Sequence, residues 1–117
     1  MNKTATALII KFAMTFVFAA IAFMTLNNNA WVWVLLVALG GTAINYWVGD
    51  LMVLPKYGNI VASLGDGVMA LVIAYIVDLL VVPFRTGLSS LIVFAVLIAV
   101  GEYFFHQYLR RPEKAES

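Results

Sequence analysis

Ionisable side chains lie within long apolar stretches of this chain, and they are the residues whose chemistry most needs an explanation. Asp50, Asp66, Asp78 and Glu102, which are four of the six acidic residues, lie in such stretches, and so does Lys11. A charge near the centre of a bilayer costs at least about 2.5 to 3.5 kcal/mol on insertion scales. Residues of this kind predict either paired charges that fix helix register or a site that binds a proton or an ion.

Four of these side chains fall at similar depths in their stretches. At a rise of about 1.5 Å per residue, Lys11, Asp50, Asp66 and Glu102 each lie roughly 6 to 9 Å from the end that we expect to face the cytoplasm. One polar layer can therefore contain all four. Because this layer has one cation against three carboxylates, it cannot be both fully ionised and fully paired, and we expect at least one acid to be protonated or to face water.

Small residues continue the faces that carry these charges. Ala62, Asp66, Ala70, Ala74 and Asp78 form a row at intervals of four, Gly41, Asn45 and Gly49 form another, and Ala95, Ala99, Glu102 and His106 share a third stripe. Small residues at helical spacing allow helices to approach closely in membranes. The expected polar layer, structural or proton- or ion-binding, comprises Lys11, Asn45, Asp50, Asp66, Glu102 and His106.

The composition identifies the elements that must position this layer. The 117 residues are 64% hydrophobic and 11% charged, whereas about a quarter of an ordinary soluble domain is charged. Four apolar stretches, about residues 5–26, 31–54, 60–82 and 88–108, are each long enough to cross a bilayer as a helix. We predict an all-α integral membrane protein, a four-helix transmembrane bundle forming a single domain over residues 1–117, with a short polar tail at 109–117.

The segments between these stretches predict short turns. The run Asn27 to Asn29 and the segments Pro55–Asn59 and Pro83–Gly87 carry the Asn, Pro and Gly that end helices. Lysine and arginine concentrate on one side of a four-span arrangement, with Arg85 alone on the other, so both termini are expected in the cytoplasm. Asp78 lies about 18 Å along the axis from Asp66, in the outer half, where Arg85 or headgroup water is expected to serve it.

No familiar catalytic motif is present. The chain lacks a Gly-Lys phosphate loop, a paired-histidine zinc motif and a Gly-x-Ser-x-Gly elbow. Glu102 and His106 share a helical face and suit a divalent metal, but the alternative is a histidine at the membrane interface near a helix end. Likewise Lys11 either pairs with Asp50 or Asp66, or extends to the headgroups. We expect no enzyme activity, no cofactor and no bound metal.

The central motif resembles the YndM-like family. Gly49, Asp50, Pro55, Asn59 and Asp66 carry that resemblance, and Ser63 stands where the family pattern often has threonine. The resemblance implies a small four-helix bacterial membrane protein of unknown function, and it supplies no activity.

Two functions remain open for such a protein. The first expectation is a non-enzymatic structural or interaction protein of the bacterial cytoplasmic membrane. The alternative is proton- or cation-coupled transport of a small solute by a homo-oligomer that uses its intramembrane carboxylates. The expected partners are membrane lipid and either a second copy of the chain or another membrane protein, with no nucleic acid. A water-accessible cavity reaching Asp50 or Asp66 would favour transport.

Overall fold

The fold is known from a computed structural model that describes residues 3–109, and the side chains through residue 107. Within this range four helices are long and apolar enough to cross a membrane: Lys3–Met24, Trp31–Tyr57, Asn59–Leu80 and Leu88–Gln107. We call them the first to fourth spans. The predicted all-α bundle of four spans is confirmed, and the described residues contain no strand. Arg110, Arg111 and the rest of the predicted polar tail lie outside the described residues.

The first two spans are not uniform α-helices. Helix α1 (Lys3–Ala19) continues as a π-helical turn over Ala20–Met24. In the second span, α2 (Trp31–Ile44) becomes π-helical over Asn45–Val53 and ends in the short α3 (Leu54–Tyr57). A π-helix is rare and is found frequently at functional sites, because its wider turns redirect the side chains that it carries. In this protein the longer π-helical segment carries Asn45, Gly49 and Asp50.

The predicted loop at Pro55–Asn59 is wrong in its extent. The second span continues to Tyr57, and Gly58 alone separates it from α4 (Asn59–Leu80). Pro55 is tolerated because it lies in the first turn of α3, directly after the π-helical segment, where the regular hydrogen-bond ladder is already interrupted. Gly58 makes the reversal with φ of 89°, a conformation that residues with a side chain rarely adopt.

An aromatic cluster fills the half of the bundle next to the turns at Asn29 and Phe84, which is the outer half in the predicted orientation. The ring of Phe23 packs edge-on against Phe84 at 5.4 Å and against Phe94 at 5.1 Å between centroids. Asn29 links the two outer turns, since its amide donates to the carbonyls of Phe23 and Arg85 and accepts from the Arg85 amide. The outer end of the bundle is therefore held by apolar packing and by one buried amide.

The third and fourth spans lie in close contact. A Cβ placed on Gly67 would lie 2.6 Å from the carbonyl oxygen of Ala95 in α5 (Leu88–Leu109), so only glycine permits this approach. Large apolar side chains such as Leu64, Val68 and Val96 are exposed on the outer surface. This is the arrangement expected of a bundle that turns its polar residues inward and its apolar residues towards lipid.

Candidate functional site

Lys11 lies in the half of the bundle next to the turn at Gly58, which is the inner half in the predicted orientation, and it joins three spans. Its Nζ lies 2.6 Å from Glu102 Oε2 and 3.2 Å from Asp50 Oδ2. The ammonium also lies 5.0 Å from the centroid of the Phe105 ring, a distance suited to a cation–π contact. Lys11 is completely buried, so it does not extend to the headgroups. Of the two partners expected from the sequence, Asp50 is in contact, and Glu102 is a closer partner that sequence reasoning did not name.

His106 is the second side chain of this cluster that can carry a positive charge, and it faces three carboxylates. Its Nε2 lies 2.9 Å from Asp50 Oδ1, 3.0 Å from Asp66 Oδ2 and 3.5 Å from Glu102 Oε1. The side chain is completely buried. The alternative interpretation of His106 as an interfacial histidine is therefore wrong, because the imidazole points into the bundle and contacts residues of the second and third spans.

The other ring nitrogen of His106 is oriented by Asn59. Nδ1 lies 2.8 Å from Asn59 Oδ1, and the Asn59 amide nitrogen donates to the Tyr103 carbonyl at 2.9 Å. That second bond fixes which end of the amide faces His106, so Asn59 presents an acceptor and Nδ1 must carry the proton. Ser63 agrees with this assignment: its hydroxyl lies 3.0 Å from Asn59 Oδ1 and, having donated its only proton there, accepts from Nδ1 at 3.2 Å.

Asp66 fits against the backbone of the second span. A Cβ on Gly49 would overlap the Asp66 carboxylate, with the Asp66 Cγ only 3.0 Å away. The absence of a side chain at Gly49 is what allows the carboxylate to occupy this position. Neither carboxylate oxygen of Asp66 receives a well-formed hydrogen bond within the part of the chain that is described, although Oδ2 is close to His106 Nε2.

The carboxylates of Asp50 and Glu102 each contact both Lys11 and His106. Asp50 turns Oδ2 to Lys11 and Oδ1 to His106, while Glu102 turns Oε2 to Lys11 and Oε1 to His106. Lys11 and the imidazole consequently lie on opposite sides of this pair of acids. The oxygens on the imidazole side, with those of Asp66, surround Nε2.

The cluster is dry and carries an excess of negative charge. The side chains of Lys11, Asp50, Asp66, Glu102 and His106 are each at most 1% exposed. With ionised carboxylates, one lysine and a neutral imidazole, the five side chains sum to −2. Burying an uncompensated charge in a bundle surrounded by lipid is expensive, so the cluster is neutralised either by protons on its acids and imidazole or by a cation beyond Lys11.

The structure brings together five of the six residues expected in the polar layer. The five that meet are Lys11, Asp50, Asp66, Glu102 and His106. Asn45 is completely buried, but within the described residues its side chain makes no hydrogen bond. Asp78 is distant, as expected, yet it accepts hydrogen bonds from the Thr86 amide and hydroxyl rather than pairing with Arg85.

The residues of the central motif have different places in the structure. Asp50 and Asp66 supply carboxylates, Gly49 makes room for one of them, and Asn59 orients the imidazole. Pro55 belongs to the turn of helix after the π-helical segment and is exposed. Sequence reasoning missed the role of Asn59 and Ser63, although their spacing of four residues on one face of a helix beside Asp66 was a usable signal.

Fold and site together define a multi-pass membrane protein with a buried cluster of opposite charges in the inner half of its bundle. The chain belongs to the family described as a protein of unknown function, DUF2512, which it matches over residues 2–117. It is 33% identical over 112 residues to a Bacillus subtilis (strain 168) protein described as "Uncharacterized membrane protein YndM". The resemblance found in the central motif is thereby confirmed.

The match to the Bacillus protein is partial on one side. It covers 92% of this chain and 60% of the relative, so this chain spans about 60% of that protein's length. No solved structure gives a significant match. Neither the family description nor the name of the relative states an activity.

Proposed function

We propose that this chain is a non-enzymatic membrane protein that binds a cation within its four-helix bundle, as part of cation-coupled transport. The observation that carries this proposal is the charge of the dry cluster, in which three carboxylates face one lysine. A set of charges that served only to fix helix register would be expected to balance. The excess here leaves a place for one more positive species.

The second span supplies an element that could open the site. Asp50 lies in the π-helical segment Asn45–Val53. The four residues of α3 follow this segment, and the chain then reverses direction at Gly58. Conversion between π- and α-helical hydrogen bonding rotates the side chains of a segment, and π-helical turns occur often where function requires such freedom. Rotation of this segment would remove Asp50 from the cluster and open a route to Asp66.

Buried polar side chains without hydrogen-bond partners support a pathway for an ion to the cluster rather than a permanently closed site. Thr15 lies one turn beyond Lys11 and is completely buried, and its hydroxyl has no hydrogen-bond partner among the described residues. Thr42 and Asn45 in the second span are also buried, and their side-chain polar atoms likewise have no hydrogen-bond partner among the described residues. Buried polar groups of this kind require an explanation, and contact with water or an ion in another conformation is one.

The experiment is a thermal unfolding series on purified protein in detergent, at constant ionic strength made up with choline chloride. Sodium, potassium, magnesium, manganese and zinc salts are compared. A cation bound by the folded state at a concentration of 100 times its dissociation constant adds about 2.7 kcal/mol of stability. We expect at least one cation to raise Tm, and Asp66→Asn to remove that increase. Equal Tm in all salts would refute the proposal and indicate that a carboxyl proton neutralises the cluster.

A structural role is the second candidate, and the contacts of Lys11 favour it. One side chain connects the first span to Asp50 in the second and Glu102 in the fourth. No side chain of the cluster is open to water in this conformation. Access of water to Asp50 or Asp66 was the feature expected of a transporter, so its absence here favours the structural role. This candidate predicts that the cluster stabilises the bundle and that Tm does not depend on the cation supplied.

Location and orientation form part of the same proposal. We place the protein in the bacterial cytoplasmic membrane with both termini and Gly58 on the cytoplasmic side. The distribution of lysine and arginine supports this orientation. The Bacillus relative, whose name describes a membrane protein, supports the location.

A further inference from the structure

We propose that the cation is a divalent transition metal, bound by His106 Nε2 and by carboxylate oxygens of Asp50, Asp66 and Glu102. The inference rests on the proposed function, since it names the kind of cation that the site accepts. The four side chains are buried, and each offers one ligand atom such that all these atoms lie within 4.8 Å of one another. They come from three different spans, so a metal would join the second, third and fourth spans.

A second observation is the position of the proton on the His106 ring, which is set by Asn59 and Ser63 and not by the acids. Asn59 and Ser63 fix the proton of His106 on Nδ1, as shown above. In a neutral ring, Nε2 then carries a lone pair, and this lone pair points at three carboxylate oxygens. That arrangement is repulsive unless a second proton on Nε2 donates to Asp50 at 2.9 Å or a cation lies between the imidazole and the carboxylates. A histidine that donates through one nitrogen to an oxygen acceptor and presents the other is the usual form of a metal ligand.

The distances are close to those that a metal requires. Zinc binds nitrogen and carboxylate oxygen at about 2.0 to 2.2 Å. For bonds of about 2.1 Å, neighbouring ligand atoms are separated by about 3.4 Å in a tetrahedron and about 3.0 Å in an octahedron. Nε2 lies 2.9, 3.0 and 3.5 Å from the three carboxylate oxygens. The distances from Nε2 therefore differ from these separations by a few tenths of an ångström, while all four ligand atoms lie within 4.8 Å of one another.

Charge balance agrees with a divalent ion when the three acids are ionised. The cluster sums to −2 with a neutral imidazole, and a divalent cation brings it to zero. Lys11 does not compete for the same space, because it contacts Asp50 Oδ2 and Glu102 Oε2, while the oxygens facing Nε2 belong to the other side of these groups. Lys11 is a positioning residue here, because it holds two ligands in place and neutralises one of the three negative charges.

Donor types select the class of metal. One imidazole with three carboxylates suits zinc, manganese or iron(II), whereas a copper(I) site needs sulfur ligands. The sequence contains no cysteine. Magnesium prefers oxygen and retains water, so a dry site with a nitrogen ligand disfavours it.

Unpaired oxygens provide further room for bonds to the ion. Asp66 is completely buried, and neither of its carboxylate oxygens has a well-formed hydrogen bond in the described residues. Glu102 Oε1, which faces Nε2, is in the same condition. A bound cation would satisfy these oxygens.

The test measures metal binding by the full chain, purified without a histidine tag in detergent. Cobalt(II) is the probe because its visible absorption reports nitrogen ligation and coordination number, and manganese and zinc are then measured by competition. We expect one cobalt per chain, with zinc displacing it. His106→Ala and Asp66→Asn should each weaken cobalt binding at least 100-fold. Asn59→Ala keeps every ligand and should weaken it by about 10- to 100-fold, since only the orientation of the imidazole changes.

Asp78→Asn is the matched control. Asp78 lies in the same helix as Asp66, but it bonds to Thr86 and takes no part in the cluster. Its variant should bind cobalt as the wild type does. Size-exclusion profiles and helical circular dichroism establish which variants are folded. If His106→Ala does not fold, Asp66→Asn and Asn59→Ala decide the question.

The outcomes separate this inference from the proposed function. Stabilisation by sodium or potassium, without stoichiometric cobalt, zinc or manganese binding, refutes the metal site and leaves cation binding intact. No response to any cation refutes both. Cobalt binding that is unchanged in Asp66→Asn and Asn59→Ala would show that the metal binds elsewhere and would overturn the inference. Stoichiometric binding that is lost in those variants and kept in Asp78→Asn supports it.

Discussion

Replacing Lys11 by leucine tests the most central contact of the bundle. The change removes an ammonium that lies 2.6 Å from Glu102 and 3.2 Å from Asp50 while keeping most of the side-chain volume. At an effective dielectric constant of about 20, these two contacts correspond to gross Coulomb energies of about 6 and about 5 kcal/mol. Removing a buried charge also recovers its desolvation penalty of several kcal/mol, so the expected loss of stability is about 3 to 5 kcal/mol.

The assay is a double-mutant cycle on unfolding in detergent or lipid. Lys11→Leu, Glu102→Leu and Asp50→Leu are measured singly and in the two pairs that include Lys11. Each pair should be less destabilised than the sum of its single variants, because the interaction between the two partners is lost in each single variant but is counted only once in the double variant. The coupling should be larger with Glu102, the nearer carboxylate. Lys56→Leu is the control, since Lys56 is an exposed lysine near the turn at Gly58.

Two results would contradict this account of Lys11. A loss below about 1 kcal/mol for Lys11→Leu would place its ammonium in a solvated environment, where ion pairs contribute this little. Additive effects in both pairs would show that Lys11 does not interact with either carboxylate. In either case the cluster would lack the counter-ion on which its charge balance depends.

Three further predictions concern orientation, packing and the outer turns. Because the chain has no native cysteine, single replacements are specific: in intact cells an impermeant maleimide should label Ala30→Cys and not Tyr57→Cys, and the reverse pattern would invert the topology. Gly49→Ala should lower the free energy of unfolding by about 1 to 3 kcal/mol through overlap with a carboxylate, as measured by chemical denaturation, whereas Gly65→Ala, which meets open space, should not destabilise the protein. Asn29→Leu should cost about 1 to 3 kcal/mol in the same measurement, because it removes the side-chain partner of the part-buried Arg85 N–H and carbonyl, and an unchanged stability would show that water replaces the amide.

Sequence alone could predict the spans and the depth of the charged layer. Apolar length identifies helices that cross a membrane, and a constant rise per residue converts position into depth. These two quantities placed Lys11, Asp50, Asp66 and Glu102 in one layer before any contact was known. Depth does not specify rotation about the helix axis, so the pairing of Lys11 with Glu102 could not be chosen over the pairing with Asp66.

The π-helical segment explains much of what the sequence could not predict. Counting at 3.6 residues per turn, as for a regular helix, misplaces every side chain after Asn45 by a growing angle. Proline is an ordinary helix-ending signal, so Pro55 predicted a loop, but the irregular hydrogen bonding before it allows the span to continue to Tyr57. The direction of His106 was equally hidden, because it is set by Asn59 from another span.

In the proposed site, the Lys11 ammonium and the bound cation lie on different sides of Asp50 and Glu102, and they have different roles. Lys11 is covalently part of the first span, so its charge cannot leave, and it holds Asp50 and Glu102 whether or not a second cation is present. The cation proposed between His106 Nε2 and the remaining carboxylate oxygens is not covalently attached to the chain, so it can be exchanged when the second span moves. A layer with one fixed cation and one exchangeable cation stays assembled during exchange, because only the charge on the imidazole side changes. A balanced lysine–carboxylate pair would stabilise the bundle equally well but would bind nothing further, and the excess of two negative charges is the feature that separates these two designs.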